Sequence, residues 1–120
     1  MRASLVLLAF LSLSCKSASA PLTDLSGTWA APYSGPGSSF QFTLSQAADS
    51  LSGAGAYVIE AGRVGTLDLA GTYTLPSVQL SIRYDFGLRL TFAGHVEGAR
   101  MIGEMADSTG RTWFASFNKQ

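Results

Sequence analysis

From Leu25 onward, apolar and polar residues alternate with a period of two. The motif apolar-x-Gly-x-apolar recurs in Leu25-Ser26-Gly27-Thr28-Trp29, Leu69-Ala70-Gly71-Thr72-Tyr73, Phe92-Ala93-Gly94-His95-Val96 and Met101-Ile102-Gly103-Glu104-Met105, with a longer version in Leu51-Ser52-Gly53-Ala54-Gly55-Ala56-Tyr57. Successive side chains on a strand point to opposite faces. The apolar residues and glycines therefore share one face, and Ser, Thr, Ala, His and Glu share the other. Helix is disfavoured throughout, because glycine sits within each run and β-branched and aromatic residues are frequent.

Further alternating runs are Phe40-Gln41-Phe42-Thr43-Leu44, Val78-Gln79-Leu80-Ser81-Ile82-Arg83-Tyr84, Leu88-Arg89-Leu90-Thr91-Phe92 and Thr112-Trp113-Phe114-Ala115-Ser116-Phe117. Together they predict eight strands, near residues 25–31, 39–46, 50–59, 65–74, 77–84, 88–96, 100–106 and 111–118. The intervening turn signals are short, so consecutive strands pair antiparallel. An open sheet of this kind would expose an apolar face and two edges. The expected class is therefore all-β, a small up-and-down eight-stranded barrel, with a two-layer β-sandwich as the alternative.

The predicted inward set is Leu25, Trp29, Phe40, Phe42, Leu44, Leu51, Tyr57, Leu67, Leu69, Tyr73, Val78, Leu80, Ile82, Tyr84, Leu88, Leu90, Phe92, Val96, Met101, Met105, Trp113 and Phe117. Side chains of this bulk nearly fill an eight-stranded barrel, whereas the inward glycines remove volume and leave room for a small apolar hollow. Tyr57, Tyr73, Tyr84 and Trp113 are the candidate ligand contacts, since a buried hydroxyl or indole N–H needs a partner. The irregular stretch 32–39 reads as a connection or a lid.

The 120 residues suit one domain, and 47% apolar against 13% charged residues suits a packed one. Net charge is zero and the basic residues are scattered singly, so no stripe exists to bind nucleic acid. The single cysteine, Cys15, allows no internal disulfide, leaving burial and sheet closure to hold the domain together.

Arg2, an apolar run over 5–11, and Ser12-Leu13-Ser14-Cys15 have the layout of a secretory signal. The ending resembles the lipobox of bacterial lipoproteins, which implies removal of residues 1–14 and lipidation of Cys15. Lys16 after the cysteine resembles the outer-membrane sorting pattern. The resemblance thus implies an exported protein, lipid-anchored in the bacterial outer membrane. Cleavage after Ala18-Ser19-Ala20 would instead leave a soluble secreted domain, although Pro21 obstructs that cut. Residues 15–24 read as lipidated cysteine and tether, and 25–120 as the domain.

Gly27-Thr28-Trp29 at the head of an eight-stranded meander resembles the calycin barrels: lipocalins, avidins and small bacterial metalloprotease inhibitors. The lipocalin likeness implies that Trp29 closes one end of the barrel under a basic residue of the last strand, Lys119 or Arg111. The avidin likeness extends to Leu69-Ala70-Gly71-Thr72-Tyr73. Biotin is not expected, because Trp113 lies in the last strand and the only asparagine is Asn118.

A three-residue loop Asp85-Phe86-Gly87, with Gly87 left-handed, would pair Ile82 with Leu90 and set Arg83 against Arg89 on the outer surface. Opposed like charges require compensation from Asp68, Glu104, solvent or an anionic partner. Arg83 and Arg89 are therefore candidate anion contacts. With one histidine, His95, on the outer face and one cysteine, neither a metal site, a cofactor nor catalysis is expected. The sequence thus points to a monomeric, non-catalytic envelope domain acting as a binding or structural module. A carrier of a small apolar ligand and an inhibitor of a secreted enzyme are the alternatives.

Overall fold

A computed structural model describes residues 20–31, 39–59 and 63–120, without the side chains of Phe40, Ile59 and Arg63. Cys15, the signal over 1–14 and most of the stretch 32–39 lie outside the described residues. Eight strands follow one another: β1 (Gly27–Ala31), β2 (Ser39–Ala47), β3 (Ser50–Ile59), β4 (Arg63–Thr74), β5 (Ser77–Tyr84), β6 (Arg89–Glu97), β7 (Arg100–Asp107) and β8 (Thr112–Lys119). Each pairs antiparallel with its neighbour in sequence, and β8 returns to β1, giving a closed up-and-down barrel rather than a two-layer sandwich.

Alternation along the strands becomes the division between lumen and wall. In β5, Val78, Leu80, Ile82 and Tyr84 are buried while Ser77, Gln79, Ser81 and Arg83 face water. The paired row Leu51, Gly71, Leu80, Phe92, Met105 and Trp113 starts beside the β2–β3 turn and finishes beside the β7–β8 turn, at the other end of the barrel. That climb is the strand tilt and stagger that closure demands. At the centre, the Phe117 ring of β8 stands edge-on to Phe42 of β2 at 5.3 Å and to Phe92 of β6 at 5.0 Å. Since β2 and β6 lie on opposite walls, the three rings bridge the lumen.

The buried set follows the predicted one with three differences. Leu88 is 36% exposed. It belongs to the β5–β6 turn, where its carbonyl accepts from the Tyr84 N–H at 2.8 Å, and β6 begins only at Arg89. Trp113 is partly buried against the core, and the small residues Ala31 and Ala115 join the buried cluster. The side chain of Phe40 lies outside the described residues.

Glycine is imposed where neighbouring strands press together on the lumen side. Gly94 and Gly103 face each other across β6 and β7, and a Cβ on either would meet the other's Cα and a strand carbonyl. A methyl group has no flexible side chain to displace there, only backbone. Substituting Gly94→Ala should therefore lower the unfolding free energy by about 1–3 kcal/mol, the usual cost of overpacking, as measured by urea denaturation. A stability equal to the parent's would contradict this account.

The β7–β8 turn is organised by one carboxylate. Asp107 Oδ1 accepts from the Thr109 hydroxyl at 2.7 Å, the Thr109 N–H at 2.9 Å and the Arg111 N–H at 3.0 Å, and Oδ2 accepts from Arg111 Nε at 2.9 Å. The Thr109 hydroxyl first, then Arg111, hold the Asp107 carboxyl well below the usual carboxylate range, against an opposing effect of desolvation. A carboxyl depressed in the fold stabilises it above the unfolded-state pKa of about 4, and this contribution disappears as the pH falls toward the folded value. The Asp107→Asn variant should show a smaller loss of melting temperature than the parent between pH 5 and acid on the order of pH 2. Parallel acid profiles for the two proteins would count against the assignment.

Candidate functional site

The turns after β2, β4 and β6 gather at one end of the barrel with the segment leading into β1, and the described turns after β5 and β7 lie at the opposite end. The leading segment closes the first end. Leu25 is fully buried, its N–H donates to Gln46 Oε1 at 2.8 Å, and the Gln46 N–H donates to Ser26 Oγ at 3.0 Å. Trp29 is also fully buried and donates its indole N–H to the Leu25 carbonyl at 2.9 Å. Leu22, within the stretch read as tether, packs against the core, and its carbonyl accepts from the Tyr73 hydroxyl.

Of the two basic residues considered beside Trp29, Lys119 is its register partner. Gly27 has a φ of 135°, so the backbone favours glycine there, and the flexible end of the Lys119 side chain lies over it, its Cε 2.7 Å from where a Cβ would stand. Arg111 lies at the opposite end, held by Asp107.

The four residues considered as ligand contacts do not converge. Tyr73 belongs to the closed end, where burial raises its pKa. Tyr57 and Tyr84 meet at the other end, with ring centroids 4.9 Å apart. Trp113 stands near that same end on β8, three strands away from β3 and from β5 around the cylinder. Phe86 completes the cluster, 5.9 Å from Tyr57 and 5.6 Å from Tyr84, while remaining 51% exposed. The exposed cross-strand pair Val58 and Val64 extends the apolar rim along the outer side of β3 and β4.

Asp85 ties this cluster to the sheet. Its Oδ1 accepts from the Tyr57 hydroxyl at 2.7 Å, its Oδ2 from the Thr66 N–H at 3.1 Å, and its own N–H donates to the Thr66 carbonyl at 3.0 Å. Sequence reasoning placed Asp85 and Phe86 only in a turn. Nothing local signals that the carboxylate reaches a tyrosine 28 positions earlier.

On the outer wall, Arg83 and Arg89 are cross-strand partners, and Gly87 is left-handed with a φ of 97°, as the hairpin pattern predicts. Asp68 faces Arg83 from β4, whereas Glu104 lies on β7, which does not adjoin β4. His95 is exposed and 2.8 Å from Glu97. Among the described residues no group of three His, Cys, Asp or Glu is placed to hold a metal ion. No family model matches the sequence, and no curated protein matches it.

Burial first, and the neighbouring Tyr57 second, push the Tyr84 pKa up to about 12. A phenol whose folded pKa is raised stabilises the fold below its unfolded value near 10, and that contribution is lost as the pH rises through the folded value. Spectrophotometric titration should show Tyr84 ionising last or together with unfolding. In Tyr84→Phe the loss of stability above about pH 10 should be smaller. Ordinary titration of every tyrosine in the folded protein would refute the assignment.

Proposed function

We propose that this chain is a non-catalytic lipoprotein domain of the bacterial envelope, a calycin-like barrel anchored through Cys15 that acts as a binding module. The observation carrying this reading is the unlike construction of the two ends. One is plugged by Leu22, Leu25 and Trp29. The other gathers Tyr57, Tyr84 and the exposed Phe86 around a tied carboxylate. A lipid at Cys15 would place the membrane on the side of the plugged end, because the tether joins the barrel there. The aromatic rim would then project away from the membrane, where a partner is met.

A carrier of a small apolar molecule is the second reading, favoured by the same aromatic rings. The Phe42, Phe117 and Phe92 bridge limits such a ligand to the mouth of the barrel.

Intact-mass analysis of the protein from the membrane fraction tests the anchor. The expected product begins at Cys15 and carries acyl chains, and Cys15→Ser should abolish both acylation and membrane retention. A mature chain starting at Pro21 without lipid would end the lipoprotein reading. Native mass spectrometry of the same preparation distinguishes the two binding modes. A co-purifying small molecule that raises the melting temperature supports the carrier, and a ligand-free protein supports a module that meets its partner with the rim.

A further inference from the structure

The register that fills the lumen also creates an unresolved electrostatic problem on the outer wall. Ile82 pairs with Leu90 inside, so Arg83 and Arg89, one position nearer the β5–β6 turn on each strand, must oppose each other outside. A slip of one residue would separate them only by turning both sets of apolar side chains into water. Like charges directly across a strand pair are destabilising.

A carboxylate stands nearby, yet it does not neutralise the pair. Asp68 faces Arg83 in register from β4, but among the described residues neither arginine has a carboxylate within 4 Å. Elsewhere on the barrel the same chain does satisfy an exposed cation, as Arg111 on Asp107 shows.

The ground beside the two guanidinium groups is hollow. Ser52, Ala70 and Ser81 form one cross-strand row of small side chains. The next row toward the aromatic rim carries Asp68, Arg83 and Arg89. The step between short and long side chains makes a concavity of about 350 Å³ that contains both arginines and the two serines.

We propose that this outer-wall groove binds a phosphate ester, with its oxyanion shared by the guanidinium groups of Arg83 and Arg89. Guanidinium offers planar, paired donors that match a tetrahedral oxyanion, and a bound anion removes the repulsion between the arginines. The Ser81 hydroxyl, on the same strand as Arg83, supplies a further donor to the floor. The groove is open to solvent on its outer side, so the group that carries the phosphate extends from it without obstruction. Asp68, on the rim of the same groove, reduces the local charge from two positive to one and weakens the hold on the anion. The site is independent of lipidation at Cys15 and of the aromatic rim.

The test is titration of the isotope-labelled mature protein at constant ionic strength, followed by amide correlation spectra. Two ligands are compared: glycerol phosphate as a soluble ester, and short-chain phosphatidylglycerol kept monomeric as a lipid headgroup. At least one should produce saturable shifts at Ser81, Arg83 and Arg89 in the millimolar range. Binding should weaken about tenfold or more in Arg83→Gln/Arg89→Gln and strengthen several-fold in Asp68→Asn. Tighter binding of the phosphatidylglycerol assigns the site to a membrane headgroup, and tighter binding of glycerol phosphate assigns it to a soluble ester. Absence of saturable shifts with both ligands would overturn the proposal, as would equal binding by the double glutamine variant. The rest of the spectrum reports whether each exposed-wall variant keeps the parent fold.

Discussion

Strand register is the constraint on which the rest of this structure depends. With a side-chain period of two, each strand has one face for the lumen and one for water, and a shift by a single residue exchanges them. Because the strands are joined in a ring, each register is tied to the two beside it. The result is a cylinder lined on the inside by rings and aliphatic chains, with Phe42, Phe117 and Phe92 in contact across it. Closure is completed where β8 returns to β1, through the pairs Trp29–Lys119 and Ala30–Asn118. The outer wall receives whatever residues the inward set leaves over, which is how Arg83 and Arg89 come to stand opposite each other.

The ends of the cylinder are made differently, and for different reasons. A barrel end exposes the last core side chains unless something covers them. At one end the segment before β1 does so, and because that segment is not a strand, its polar groups draw on side chains, notably Gln46 and Tyr73. At the other end Asp85 binds both the Tyr57 hydroxyl and the Thr66 N–H, holding the turn after β5 against β4. The first arrangement buries an apolar segment. The second leaves an aromatic ring, that of Phe86, at the surface.

The positions of the strands were legible because their signals are local. Alternation, mid-strand glycines and turn residues located all eight, and Asp85-Phe86-Gly87 with the hydrophobic pattern gave the correct Arg83 and Arg89 pairing. Leu88 continues the alternation of Leu90 and Phe92 along the chain, yet it lies before β6 begins, at the end of the barrel, and is exposed there. The candidate site was less legible. Tyr57, Tyr73 and Tyr84 share the inward face, and alternating strand direction carries Tyr73, near the end of β4, to the plugged end and Tyr57 and Tyr84, near the ends of β3 and β5, to the rim; what the chain does not signal is that Asp85 reaches back to Tyr57.

What the sequence determined by itself is therefore the fold class, the inward and outward faces and the chain order of the strands. Each follows from contacts between residues close in the chain or from the period of the side chains. Only the tertiary structure decided that the sheet closes into a ring, which carboxylate meets which hydroxyl, and where the wall is hollow. Those relations depend on how far each strand is displaced along the axis when the ring closes, a quantity set jointly by all eight registers and by the packing of the lumen.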